Sequence, residues 1–142
     1  MSATATIRTG DVRLELRAGE HAPMLITLSA AHGDVWHNAV EETLPRSIDL
    51  RGKAIDLHWF LKPELTKVQD RSVEFVYESA EPHLRLHWIW EARASFGPVE
   101  HRIVIENLSG EEMWLPLMES LTVNWQITHG TTLNHFYVEK GA

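Results

Sequence analysis

Alternating apolar and polar residues over positions 99–127 constrain the fold of this chain more than any other feature. Odd-numbered positions from 99 to 105 carry Val, His, Ile and Ile, and odd-numbered positions from 121 to 127 carry Leu, Val, Trp and Ile. A period of two residues is typical of a half-buried antiparallel strand. Residues 107–112 lie between the two runs and are rich in turn formers. The stretch therefore predicts a β-hairpin or the equivalent strand pair of a β-sandwich.

The same period of two recurs along the chain, and no long amphipathic helix interrupts it. Further strands are predicted at residues 4–8, 11–17, 23–28, 56–61, 72–78 and 84–90. Residues 29–56 contain Gly33, Pro45 and Gly52, and they predict loops with short strands. Short strands separated by turn residues predict an all-β fold, an antiparallel β-sandwich, with residues 1–142 forming a single domain.

Composition excludes several classes of function. The chain has 142 residues, a formal net charge of −7 and no cysteine. The negative charge disfavours nucleic acid and anionic membrane surfaces, which both require a basic footprint. The lack of cysteine excludes disulfides, thiolate nucleophiles and zinc sites built on Cys. The N-terminal residues show neither a basic start nor an apolar run of signal-peptide length, and the sequence has no run of ~20 apolar residues, so we expect a soluble chain whose compartment stays open.

Nine histidines raise the question of a metal site. His83 and His87 are four residues apart, which in a strand separates them by roughly 13 Å, too far to share an ion. His32 and His37, together with Glu41, lie in a predicted loop and are the best metal candidates. The His-x-His pattern of a cupin is missing. Most of the histidines are therefore expected to be exposed or hydrogen-bonded, with no metal or other cofactor.

Six tryptophans are many for a chain of this length. Three of them fall on the apolar faces of predicted strands and are expected in the core: Trp88, Trp90 and Trp125. The other three lie in loops or break the alternation: Trp36, Trp59 and Trp114. Because an exposed indole can stack on the apolar face of a sugar ring, these three are the candidate carbohydrate-binding residues. The alternative is that they cover the sheet or fill a domain interface.

No catalytic constellation is visible. A glycosidase needs two carboxylates held about 5–10 Å apart across a cleft, and 20 acidic residues supply such pairs by chance. Glu41 and Glu42 are interpreted as one solvated turn, and Glu111 and Glu112 as another. The sequence has no nucleophile elbow, phosphate loop or dinucleotide fingerprint. No catalytic residue is predicted.

The 99–121 region also resembles a known family. An arginine in the first strand, an Asn-x-Ser-Gly-Glu turn, an apolar run and a Ser-Leu pair resemble the N-terminal β-supersandwich domain of glycoside hydrolase family 36, the α-galactosidases and their relatives. The matching residues are Arg102, Ile103, Val104, Ile105, Glu106, Asn107, Gly110, Glu111, Leu115, Leu117, Ser120 and Leu121. The resemblance extends over residues 70–140 and implies a galactose-mutarotase-like supersandwich, in a shortened form.

The resemblance implies a non-catalytic accessory domain. In that family both catalytic aspartates belong to a separate (β/α)8 barrel of the same chain, and such a barrel needs roughly 250 residues. Residues 134–142 read as a strand that stops where a turn begins, so this chain is expected to be the N-terminal part of a longer protein. Two alternatives stay open: a free-standing carbohydrate-binding module, and a small metal-dependent enzyme. Association of several copies of the chain is open as well.

Overall fold

The computed structural model describes residues 2–127, and these residues form β-strands with one short 3-10 turn, Pro63–Leu65. The strands are β1 (Ala3–Arg8), β2 (Val12–Ala18), β3 (Pro23–Ala30), β4 (Val35–His37), β5 (Ser47–Leu50), β6 (Lys53–Asp56), β7 (Phe60–Leu61), β8 (Lys67–Val68), β9 (Ser72–Ser79), β10 (Leu84–Ala92) and β11 (Val99–Asn107). The strand predicted at 134–142 lies outside the described residues.

The strands form two main antiparallel sheets and one small hairpin. One sheet has the order β1-β2-β3-β4, and the other has the order β11-β10-β9-β7 with β8 also paired to β9. Strands β5 and β6 form the separate hairpin. The predicted all-β fold, an antiparallel sandwich, is confirmed. Within residues 2–127, no helix is long and apolar enough to cross a membrane.

Side chains from both sheets meet in one hydrophobic core. Leu14 and Leu16 of β2, Phe75 of β9, and Leu86 and Trp88 of β10 are all at most 2% exposed. They alternate with more exposed neighbours along each strand, as a sheet with one buried face requires. The rings of Phe75 and Trp88 lie parallel, with their centroids 5.8 Å apart. The burial predicted for Trp88 is therefore confirmed.

The predicted hairpin over residues 99–127 is wrong in its second strand. Strand β11 pairs along its length with β10, from Ala92 opposite Val99 to Leu84 opposite Asn107. Residues 121–127 form no strand and make a single bridge, at Trp125. A period of two shows that one face is buried but does not identify the neighbouring strand. The short 93–98 connection brings β10 to β11 before any later segment can compete.

Residues 113–127, here called the C-terminal segment, cover one edge of the sandwich and are held by isolated contacts, some to backbone groups and some to side chains. Asn38 is 6% exposed, and its Oδ1 accepts the backbone N–H of Asn124 at 2.7 Å. Its Nδ2 donates to the carbonyls of Leu25 and Val40. The side-chain oxygen of Asn38 thus accepts the N–H of Asn124, which in a continuous β-ladder would donate to a backbone carbonyl.

Glu42 and His101 complete this attachment. Glu42 accepts the backbone N–H of Thr122 at 2.6 Å through Oε1 and the indole N–H of Trp88 at 3.2 Å through Oε2. His101 stacks on Trp90 with centroids 4.3 Å apart, and its Nε2 lies 2.7 Å from the carbonyl of Ser120. The interpretation of Glu42 as part of a solvated turn is wrong, because this residue is only 5% exposed.

Of the remaining predictions, some are confirmed and others are wrong. Residues 29–56 are loops with short strands, as predicted, and contain β4, β5 and β6. Residues 56–61 are not one strand, because β6 ends at Asp56 and β7 begins only at Phe60. Trp90 is buried as predicted, whereas Trp125 is only partly buried against the core.

Candidate functional site

The structure separates the three candidate sugar-binding tryptophans. Trp36 is 40% exposed on β4, and its ring meets that of Trp125 edge to face at 5.6 Å. Trp59 is only 5% exposed, and its indole N–H donates to the carbonyl of Pro45 at 2.8 Å. Its ring is therefore part of the core and has no free face for a sugar. The expectation of an exposed Trp59 is wrong because the loop that carries it turns back over the sandwich.

Trp114 has the largest exposed indole of the three. The residue is 71% exposed. Its backbone is fixed to β5, since the N–H of Trp114 donates to the carbonyl of Asp49 and the N–H of Asp49 donates to the carbonyl of Trp114, each at 2.9 Å. The indole is thus presented to solvent from a backbone that is held on both sides.

A shallow cleft of about 530 Å³ lies beside this indole. It is formed by the β5–β6 turn on one side and by the turn after β11 on the other. The lining residues are Asp49, Arg51, Gly52, Gly110, Glu111, Glu112 and Trp114. We call this the Trp114 cleft.

Both walls of the Trp114 cleft are ordered by polar contacts. The guanidinium of Arg51 donates to the carboxylate of Glu111 at 2.6 Å and so joins the two turns. Asp49 Oδ1 accepts the N–H of Gly52 at 2.8 Å. In the opposite wall, Asn107 Nδ2 donates to the carbonyl of Glu111 at 2.6 Å. The Asn107 side chain therefore performs the turn chemistry that its sequence context predicts.

The charge of the Trp114 cleft is predominantly negative. Three carboxylates, from Asp49, Glu111 and Glu112, face a single guanidinium, from Arg51. One carboxylate is neutralised by its ion pair with the guanidinium. The remaining acceptors can bind hydroxyl or N–H donors but repel anions.

A second cleft of about 500 Å³ lies within the loops of residues 29–63 and beside β2. Its lining includes His21, Glu41, Arg46, His58 and Phe60. His21 Nδ1 lies 3.0 Å from a backbone carbonyl, and the His21 ring meets Phe60 edge to face at 4.9 Å. These contacts use His21 to fix the loop.

The candidate metal ligands are not assembled. His32 lies in an exposed turn and His37 on the exposed strand β4. Glu41 instead pairs with Arg17 at 3.3 Å. Residues 2–127 contain no group of three or more His, Asp or Glu side chains arranged to hold a metal ion. The metal hypothesis therefore has no support in the described part of the chain.

The outer face of the β9–β10–β11 sheet carries a network of ion pairs. His87 lies between Glu74, at 2.6 Å, and Glu106, at 2.9 Å. The hydrogen bond with His87 holds the pKa of Glu106 below its ordinary value. Burial raises the pKa of Glu78, but the hydrogen bond and charge of Arg85, at 2.7 Å, outweigh this and lower it. This pairing is structural and leaves no free acid or base in a cleft.

Reasoning from sequence identified Trp114 but missed the residues around it. Asp49 and Arg51 are ordinary hairpin residues in the sequence, and no motif connects them with Glu111, 60 residues later in the chain. Only the pairing of Trp114 with β5 brings the two turns together. Comparison of the chain with protein-family models, curated protein sequences and solved structures finds no match in any of the three.

Proposed function

We propose that this chain is a non-catalytic accessory domain that supports a separate catalytic (β/α)8 barrel in the same parent protein. The proposal extends the resemblance to the N-terminal supersandwich of the α-galactosidase-like glycoside hydrolases. On this proposal the sandwich is a shortened, galactose-mutarotase-like supersandwich, and the parent protein is a glycoside hydrolase. The all-β fold supports it.

The observation that carries the proposal is an uncovered apolar strip at the edge of the sandwich. It runs along β4 and the C-terminal segment, which lie side by side because the N–H of Gln126 donates to the carbonyl of His37. The strip comprises Val35 (51% exposed), Trp36 (40%), Leu121 (37%) and Ile127 (49%), and Leu117 of the same segment is fully exposed. Large apolar side chains left exposed on two adjoining segments are the kind of surface that a protein interface covers.

The barrel is the occupant that fits this strip best. The outer face of the β9–β10–β11 sheet, by contrast, carries cross-strand pairs of opposite charge.

Reading the coding sequence downstream of residue 142 tests the proposal. Strands alternating with helices over roughly 250 residues, as a (β/α)8 barrel requires, would support it. A stop codon directly after residue 142 would contradict it. Hydrolysis of an α-galactoside by the purified 142-residue chain would also contradict it, since the proposal assigns no catalytic group to this domain.

The second candidate function is a free-standing carbohydrate-binding module. The specific observation in its favour is the 71% exposed indole of Trp114 beside a polar cleft. Trp36 keeps an exposed face as well, whereas Trp59 does not. A stop codon after residue 142 together with saccharide binding by the purified chain would favour this candidate over the accessory domain.

A further inference from the structure

We propose that the Trp114 cleft binds a neutral hexose-containing saccharide, with one sugar ring stacked on the indole and its hydroxyls bonded to the two cleft walls. The inference goes beyond the accessory role, because a supporting domain needs no ligand of its own. It is also independent of that role, since either a domain or a free module could carry the cleft.

The indole of Trp114 is exposed beside the cleft, and the main chain that carries it is held in place. The reciprocal backbone bonds between Trp114 and Asp49 fix the point from which the ring projects. Because this main chain is already ordered, stacking of a flat ligand on the ring has to order only the side chain.

The Trp114 cleft places hydrogen-bond donors and acceptors side by side. The Arg51 guanidinium and the Glu111 carboxylate are in contact at 2.6 Å, one on each turn. Adjacent sugar hydroxyls can accept from the guanidinium and donate to the carboxylate at the same time. Asp49 and Glu112 add further acceptors. A sugar ring has an apolar face and hydroxyl groups at its edge. The cleft complements both, because it places an apolar ring beside hydroxyl-binding groups.

The negative charge of the Trp114 cleft determines which type of sugar it can bind. Three carboxylates against one guanidinium repel uronates and other anionic saccharides. A small quaternary ammonium would suit the negative charge, but an aromatic cage needs several rings, and among residues 2–127 only Trp114 contributes an aromatic ring to this cleft. Neutral hexose is therefore the class that the lining favours.

The two turns that form the cleft walls leave space beside the indole. Gly52 and Gly110 have φ angles of 78° and 77°, a backbone region that side chains rarely adopt. A Cβ at either position would meet no atom within 4 Å. Both walls therefore end in bare backbone, and a ring of hexose size can approach Trp114 without displacing a side chain.

Titration of the purified chain with a panel of saccharides tests the proposal. The panel contains lactose, cellobiose and maltose, with digalacturonate as the anionic counterpart and choline as the cationic one. Binding is followed by calorimetry and by tryptophan fluorescence. We expect at least one neutral disaccharide to bind in the millimolar range or tighter, and the uronate to bind about tenfold more weakly or not at all.

Two variants locate the binding. Trp114→Ala should weaken neutral saccharide binding about tenfold, because it removes the stacking face. The matched control is Phe96→Ala, which removes another ring, 69% exposed in the β10–β11 connection, and should leave binding unchanged. Both variants are checked for folding by circular dichroism. A third variant, Glu112→Gln, removes one negative charge and should reduce the difference in affinity between neutral and anionic sugars.

Three results would overturn the proposal. One is the absence of a response to every neutral saccharide up to about 50 mM, a concentration at which even a weak millimolar site would be occupied. Another is saccharide binding that Trp114→Ala leaves unchanged in a folded chain. The third is choline or digalacturonate binding at the cleft more tightly than any neutral sugar. None of these results depends on whether a barrel follows the domain.

Discussion

Glu42 is a carboxylate with little access to water, and both of its oxygens are in use. One accepts the backbone N–H of Thr122 and the other accepts the indole N–H of Trp88. It therefore links the centre of the core to the C-terminal segment. Its neighbour Glu41 is exposed and makes a surface pair with Arg17. Two identical residues in succession thus have opposite environments.

We predict that Glu42→Ala lowers the free energy of unfolding by about 2–4 kcal/mol, because it leaves the buried indole N–H of Trp88 and the part-buried N–H of Thr122 without an acceptor. Glu42→Gln should cost less, since the amide oxygen retains one of the two bonds. Urea unfolding followed by tryptophan fluorescence measures both values.

The matched control for Glu42 is Glu41→Ala. Exposed ion pairs contribute about 0.2–1 kcal/mol, so this variant should unfold close to the parent midpoint. Equal effects of the alanine substitutions at positions 41 and 42 would contradict the assignment of Glu42 as the buried link.

At the residue scale, sequence reasoning succeeded where a side chain lies on a regular strand and failed where it lies on a loop. Trp88 is inward because it alternates with His87 and Ile89 on β10. Trp59 and Trp114 both lie outside that pattern, yet one is 5% exposed and the other 71%. Their difference depends on how the loops fold back on the sandwich, which no local period records.

At the scale of elements, the β9–β10–β11 sheet presents two chemically distinct faces. Its inner face is apolar, and its outer face carries alternating acids and bases that register brings opposite one another. Arg85 of β10, for example, lies across from Glu78 of β9 and from Glu106 of β11. Cross-strand pairs of opposite charge support this register, and a shift by one residue would bury them.

Acid should weaken this sheet through Glu78. Because the native pKa of Glu78 lies below its ordinary value, the carboxylate stabilises the fold above the unfolded pKa of about 4.3. This contribution is lost as the pH falls from that value through the lowered native pKa. Glu78→Gln should cost about 1 kcal/mol at neutral pH and should flatten the fall in stability below about pH 4.5.

Urea unfolding at a series of pH values from neutral to acid measures this effect. Glu81→Gln, at an exposed position in the turn between β9 and β10, is the control and should keep the parent pH profile. An unchanged acid profile in Glu78→Gln would contradict the role assigned to the Arg85 ion pair.

The period of two predicted most strands of both main sheets, but it predicted the partner of β11 wrongly. Val99, Ile103 and Ile105 do pack against the core, as their alternation indicates. Residues 121–127 show the same alternation without forming a strand, because side chains of Asn38 and Glu42 take the places of backbone partners. Patterning records burial, whereas pairing depends on long-range geometry.

At the scale of the whole molecule, the apolar strip and the Trp114 cleft are the surface features that the fold itself does not need. Neither is required to cover the core, whose largest side chains are already fully buried. We therefore expect both features to tolerate substitution without loss of the sandwich. The roles that we propose for them, docking for the strip and saccharide binding for the cleft, are separable by experiment.

We predict that the double substitution Leu117→Ser and Ile127→Ser changes the free energy of unfolding of the chain by less than about 1 kcal/mol. Both side chains are exposed, so little burial is lost. The same substitutions should reduce binding of the apolar dye ANS to the chain. Thermal unfolding and dye fluorescence measure these two effects.

A large loss of stability in this double variant would contradict the assignment of the strip as a docking surface, since it would place both residues in the core. The matched control is Leu86→Ser, a fully buried position in β10, which should unfold the chain or destabilise it severely.

The attachment of the C-terminal segment through isolated contacts has a kinetic consequence. The N–H groups of Thr122 and Asn124 donate to side chains, and those of Trp114 and Gln126 donate to single backbone carbonyls, whereas the amides of β9 and β10 belong to continuous ladders. The segment can therefore detach as a unit while both sheets remain closed. In deuterated solvent its amides should exchange well before those of the sandwich. The domain would then have two tiers of stability, and the looser tier carries the apolar strip.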